Sequence, residues 1–124
     1  MKVLVCGGRF FDDRDMAFFT LDRMAADAEL IVHGGARGAD TLAQEWADDR
    51  GVCCMVYPAD WKKYGPSAGP RRNQLMLDAE KPDLVIAFPG GVGTKDMVTK
   101  ARAADVRVYQ IQGNYILDSL NGNT

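Results

Sequence analysis

Short apolar runs alternate with amphipathic stretches along most of the chain, and several of the runs end in glycine. Val3-Leu4-Val5-Cys6 is apolar at every position and stops at Gly7-Gly8, as a buried strand leading into a tight turn does. Behind it, Met16, Phe19, Thr20, Met24 and Ala28 fall near one side of a helix, with Asp12 or Asp13 as its N-cap. Leu30-Ile31-Val32 reads as a second strand ending in His33-Gly34-Gly35. Asp40 to Arg50 is helical, with Leu42, Ala43, Trp46 and Ala47 on the buried side and Gly51 as its stop. Val52 to Tyr57 gives a third strand closed by Pro58, and a polar loop runs over 59–69. Pro70 suits the first turn of a third helix, whose buried side is Leu75, Met76 and Ala79. Leu84 to Phe88 is a fourth strand, Thr94 to Ala104 a fourth helix and Val106 to Ile111 a fifth strand. The tail from Gly113 is weakly patterned and is expected to fray.

Strand–helix alternation of this kind builds βαβ units with right-handed crossovers. A strand apolar at every position, like the fourth, is covered on both faces, as in parallel sheets. The expected fold is therefore α/β: a Rossmann-like, doubly wound parallel sheet of about five strands in the order 3-2-1-4-5. One domain over 1–112 is followed by the tail at 113–124. In such a sheet the first and fourth strands flank the switch point, where ligands bind at the strands' carboxyl ends.

Composition narrows the classes. The 124 residues, 47% apolar and 26% charged, suit one globular domain. A chain of this length buries roughly two-thirds of its unfolded surface, so it holds a core without staples. A net charge of −2 argues against a general duplex-DNA binder, which needs a basic face, though it leaves room for a local positive pocket. Cys6, Cys53 and Cys54 make a poor disulfide framework and have no zinc-type spacing, so they read as reduced core residues and no metal is expected. The chain enters its first strand at once, and no apolar run reaches the roughly 20 residues of a membrane span. The expected location is the cytoplasm, with no membrane partner.

The chemistry gathers in the loops. Gly7-Gly8, Gly34-Gly35 and Gly90-Gly91 each follow a strand, so all three pairs should emerge on one edge of the sheet. Glycine lets backbone N–H groups turn inward and approach an anion. Two of the loops lead into helices near Ala39-Asp40 and Gly93-Thr94, whose N-termini suit phosphate. Any one pair is explained by a tight turn; three on one edge, with three glycines and a threonine in Pro89-Gly90-Gly91-Val92-Gly93-Thr94, are not. Arg9, Arg37, Arg71 and Arg72 lie beside these loops, and guanidinium groups bind phosphate in bidentate fashion. The expected ligand-binding set is Gly7, Gly8, Arg9, Gly34, Gly35, Arg37, Gly38, Arg71, Arg72, Asn73, Pro89, Gly90, Gly91, Gly93 and Thr94. His33, the single histidine, reads first as a structural loop residue and second as a ligand contact or proton shuttle. Asp40 reads first as a helix cap and second as a partner for a ribose hydroxyl. Trp61 and Tyr64 can stack on a base or cover the core.

The strings GGR, HGGARGAD, GPRRN and PGGVGT, in this order, resemble the SLOG superfamily. That group joins the DprA/Smf DNA-processing proteins with the LOG "lysine decarboxylase-like" phosphoribohydrolases, and the nearest likeness is to its small stand-alone YspA/YpsA-like branch. The resemblance covers about residues 2–111. It implies a Rossmann-like fold that binds a nucleotide, a nucleotide-sugar or a related ligand. LOG enzymes extend the loop to PGGxGTxxE, and that glutamate takes part in cleaving the N-glycosidic bond of a nucleoside monophosphate. Here its position is Met97, and Asp96, one residue early, points about 100° away on a helix. The arginine that LOG enzymes carry before the PGG strand has Arg71 or Arg72 as its counterpart, about two residues further off. Arg72-Asn73 looks like the DprA pattern.

Two readings stay open. In the first the chain binds a nucleotide-type ligand, as a sensor would, with no other cofactor. In the second it hydrolyses the base–ribose bond of a nucleotide or dinucleotide, a reaction that needs a carboxyl or a charged partner. Its candidates are Asp40, Asp96, Arg72 and, more remotely, Asp12. A third, binding of single-stranded nucleic acid, ranks well below both because the chain is acidic. The sequence leaves the oligomeric state open, with a homodimer as one option because related folds often pair through helix faces.

Overall fold

The computed structural model describes residues 1–113 and 115–119. Its strands are β1 (Lys2–Cys6), β2 (Leu30–His33), β3 (Cys53–Val56), β4 (Leu84–Ala87), β5 (Arg107–Gln112) and β6 (Tyr115–Ser119). The helices are α1 (Arg14–Met24), α2 (Ala39–Arg50), α3 (Trp61–Tyr64), α4 (Ala68–Glu80) and α5 (Val92–Ala103). The sheet order is β3-β2-β1-β4-β5-β6. The first five strands are parallel, so the doubly wound order 3-2-1-4-5 stands. No helix among the described residues is long and apolar enough to cross a membrane.

Period-2 alternation sorts the strand residues into two cores. Val3, Val5, Ile31, Leu84 and Ile86 face α1 and α2, where Leu21, Ala43 and Trp46 complete one cluster. Leu4, Val32, Val85 and Val108 face α4 and α5, where Met76, Met97 and Ala101 complete the other. β1 therefore sits where the chain changes sides: its helix runs to β2 on one face, and β4 returns on its other edge from the opposite face. That divergence opens a crevice at the carboxyl ends of β1 and β4.

Several local expectations need correction. Capping by Asp13, whose carboxylate accepts from the Met16 N–H at 3.0 Å, sets the phase of α1 so that Ala17, Thr20 and Leu21 turn inward. Phe19 is left exposed beneath the Arg23 guanidinium. In α4 the inward residues are Asn73, Met76 and Leu77, while Leu75 and Ala79 are exposed. On the edge strand β3, Cys53 is exposed and Cys54 half-buried, so of the three thiols Cys6 alone belongs to the core. The tail does not simply fray: Gly113, at φ 59°, turns the chain so that β6 pairs antiparallel to β5. Arg107 fastens this edge through a two-point contact with Asp118 at 3.0 and 2.6 Å. The remainder of the tail, 114 and 120–124, lies outside the described residues.

Candidate functional site

The crevice is a cleft of about 820 Å3 floored by the end of β1 and by the loops that follow β1 and β4. Close backbone approach shapes it. The Gly8 N–H donates to the Pro89 carbonyl at 2.8 Å, and the Gly8 carbonyl accepts from the Ala39 N–H at 3.1 Å. The first glycine loop is thus strapped to the third loop and to the start of α2. A Cβ on Gly90 would collide with Thr94 Oγ1 and the Gly8 nitrogen. Gly38, at φ 78°, would collide with the Gly8 carbonyl. These glycines are required by packing.

Gly91 and Gly93 are different. A Cβ on either meets nothing within 4 Å, so neighbouring atoms give no reason for glycine there. Both line the cleft with Val92 and Thr94, and together they form the first turn of α5. At a helix start the first N–H groups lack carbonyls one turn back. Gly91, the N-cap, has no side chain to satisfy them. The turn therefore presents unpaired donors and the positive end of a 12-residue helix to the cleft.

Asp40, Arg72 and Cys6 lie at the inner end of the cleft. Asp40 is 6% exposed. Its Oδ2 accepts from the N–H groups of Gly34 at 3.2 Å and Ala36 at 3.1 Å, which holds the second glycine loop to α2. Burial pushes the Asp40 carboxyl above the usual carboxylate range, outweighing those N–H groups and the charge of Arg72. Arg72 donates from Nη1 to the carbonyls of Gly34 at 2.9 Å and Tyr57 at 3.4 Å. Burial pulls its guanidinium below the usual arginine value, with Asp40 partly offsetting this. Burial also pushes the Cys6 thiol far up, and a thiol kept neutral is a poor nucleophile. His33 is buried. Its Nδ1 accepts from the Gly35 N–H at 3.0 Å, which leaves Nε2–H for Gln44 Oε1 at 2.7 Å. Both ring nitrogens are used within the fold, in keeping with the structural reading of this residue.

Behind the third glycine loop runs a second network. Asn73, 5% exposed, donates from Nδ2 to the Gly93 carbonyl at 3.2 Å and to Asp96 at 3.0 Å, while its Oδ1 accepts from Arg72 Nε at 3.0 Å. Lys100 holds Asp96 from the other side at 2.7 Å. Burial would raise the Asp96 carboxyl, but the hydrogen bonds from Lys100 and Asn73 keep it below the usual range. Asp96 is a braced carboxylate in the wall and does not line the cleft. Met97, in the place of the LOG glutamate, is fully buried in the core.

Of the fifteen residues expected to bind ligand, eleven line the cleft. Gly7, Gly8, Arg9, Gly34, Arg72 and Asn73 do so, as does the whole of Pro89-Gly90-Gly91 with Gly93 and Thr94. Gly35 and Arg37 line a smaller cavity of about 300 Å3 next to it. Gly38 serves packing. Arg71 points elsewhere: it donates to Ser67 Oγ at 3.0 Å and lies over the Tyr64 ring, and neither it nor Tyr64 lines the cleft. Trp61 does line it, with Arg9 stacked 5.5 Å from its ring centroid.

Sequence reasoning missed the apolar rim. Phe10, 91% exposed, and Val92, 88% exposed, stand at the edge of the cleft. Phe11 beside them stacks on Phe88, ring centroids 5.0 Å apart. The available signal was an aromatic pair directly after Gly7-Gly8-Arg9, where a βα loop would ordinarily be polar.

Residues 1–64 match the family described as the YspA, cpYpsA-related SLOG family. The chain is also 35% identical over 120 residues to the Gene 61 protein of Mycobacterium phage D29, covering 86% of this chain and 93% of that protein. The chain belongs to the YspA, cpYpsA-related SLOG family.

Proposed function

We propose that this SLOG protein binds a phosphate-bearing small molecule of the nucleotide type, with the phosphate on the first turn of α5 and a flat base near Phe10 and Trp61. One observation carries this reading. Gly91 and Gly93 leave open space beside an uncapped helix start that faces a cleft of about 820 Å3. Backbone donors with no Cβ in the way suit an anion pressed against the main chain. The cleft falls within the roughly 300–1,000 Å3 range of small-molecule sites. Exposed aromatics at its rim provide faces for stacking.

A thermal-shift screen against AMP, ADP, ATP, NAD, ADP-ribose and ribose 5-phosphate tests the proposal. A ligand at 100 times its Kd adds roughly 2.7 kcal/mol of stability. A shift with one nucleotide class, abolished by Gly91→Asp, supports the reading. No shift with any of the six overturns it.

A second reading, cleavage of the base–ribose bond, has Asp40 in its favour: a buried carboxyl on the cleft wall with its pKa raised, as a proton donor requires. Release of free base on incubation, lost in Asp40→Asn, would establish it.

A further inference from the structure

The smaller cavity shares Arg9, Gly34, Ala36, Trp61 and Arg72 with the cleft and adds Arg37 and Gly35. It lies on the β2–β3 side, away from the α5 helix start. Three arginines line its roughly 300 Å3. Among the described residues, Arg9 and Arg37 have no hydrogen bond or ion pair to a protein group, and Arg72 has no ion pair with a carboxylate. Arg72 uses its donors on the Gly34 and Tyr57 carbonyls and on Asn73, none of which is an anion. Like charges brought together around a small cavity repel unless an anion joins them. Of the six arginines outside the site, three are paired with a carboxylate: Arg14 with Glu45, Arg50 with Asp22, Arg107 with Asp118. Three arginines without a carboxylate ion pair meet at this one cavity, where the buried Asp40 acts on Arg72 through its charge and not through an ion pair.

We infer that this cavity is a second anion subsite, which takes a phosphoryl group distinct from the one placed on α5. Arg37 supplies a free fork from the exposed loop, and Arg9, held on the Trp61 ring, stands between the two spaces. The inference rests on the reading of the larger cleft only for the word "second"; the anion site itself stands on the three arginines.

The test uses inorganic pyrophosphate, with AMP as the probe of the cleft. Arginine Nε–H resonances are followed by NMR on titration with each, alone and together. Saturable shifts with pyrophosphate, persisting when AMP is bound, are expected. Arg37→Ala should weaken pyrophosphate about tenfold or more, the effect of losing a charge-assisted pair, with Arg37→Lys recovering part of it. Arg37 is exposed and makes no hydrogen bond or ion pair among the described residues, so its variants should keep the wild-type melting temperature. Absence of saturation, full displacement of pyrophosphate by AMP, or an unchanged affinity in Arg37→Ala each overturns the inference. If pyrophosphate binds in an Arg37-dependent way while AMP does not bind, the subsite stands and the reading of the larger cleft falls. ADP-ribose separates the sources of the anion: tighter binding than AMP, with the gain lost in Arg37→Ala, shows one ligand spanning both spaces. An equal affinity assigns the subsite to a separate anion.

Discussion

Arg72 reaches from α4 to the Gly34 carbonyl, 2.9 Å away and 38 positions earlier in the chain. This contact ties the second glycine loop to a helix on the opposite face of the sheet. The same guanidinium bonds Asn73, which holds the third loop at Gly93. One side chain thus links the two loops that bracket the cleft.

Arg72→Ala should therefore destabilise the fold as well as weaken ligand. It leaves the Gly34 carbonyl without its donor and removes the positive charge facing buried Asp40. A loss of about 1–3 kcal/mol is expected from the unsatisfied partners. Arg72→Lys should recover little, because an ammonium cannot reproduce the fork. Urea unfolding midpoints decide it: a midpoint equal to wild type would mean that the link is not structural.

Gly90 and Gly91 are adjacent and should respond in opposite ways. Gly90→Ala places a Cβ against Thr94 and Gly8 and should lower stability by about 1–3 kcal/mol, as overpacking does. Gly91→Ala has open space and should cost less than about 1 kcal/mol, the scale of an N-cap change. Its effect should appear in ligand binding, as a reduced thermal shift with the nucleotide that stabilises wild type. Equal destabilisation by both variants would remove the distinction between packing glycines and ligand-facing ones.

The strand order and the glycine-bearing edge were legible because both follow from period. Runs such as Leu84-Val85-Ile86-Ala87 allow a strand covered on both faces, and alternation with helices fixes parallel order. Helix phase was less legible. Asn73 faces inward between Met76 and Leu77, where hydrophobic pattern alone selects Leu75. Only partners distant in sequence, Gly93 and Asp96, make that placement favourable. Arg71 and Arg72 are neighbours of the same type, and the sequence does not separate them; the roughly 100° between adjacent helical positions sends one into the cleft and the other to Ser67. β6 was missed because its pairing depends on the turn at Gly113 and on Arg107 reaching Asp118, both invisible to periodicity.

Asn73→Ala should act through the third loop. It removes the donor to Gly93 and Asp96 and the acceptor for Arg72, all at a nearly buried site. A loss of about 1–3 kcal/mol is expected. Removing Lys100 as well should cost less than the sum of the two single changes, because both brace the same Asp96 carboxylate. A double-mutant cycle on unfolding free energies measures this, and strict additivity would show that Asn73 and Lys100 act independently.

Asp40 should give the pH profile of stability a component of unusual sign. Its folded-state pKa is raised, mainly by burial, above the ordinary carboxylate value it takes when unfolded. Between those two values the folded protein holds more of the proton than the unfolded chain. The contribution of this group to stability therefore falls as pH rises through that window, and levels off above the folded pKa. Asp96 and Asp22, whose carboxyls are held below the usual range, act in the other direction: their contribution is present above the ordinary carboxylate value and is lost as pH falls through their lowered values. The net profile mixes both signs, so the informative quantity is the difference between wild type and Asp40→Asn. The asparagine carbonyl can still accept from the Gly34 and Ala36 N–H groups, but it cannot titrate. Unfolding free energies from mildly acid to neutral pH should show the variant gaining on wild type as pH rises through the Asp40 window. A constant difference would mean that Asp40 titrates alike in both states, and the case for it as a proton donor on the cleft wall would go with it.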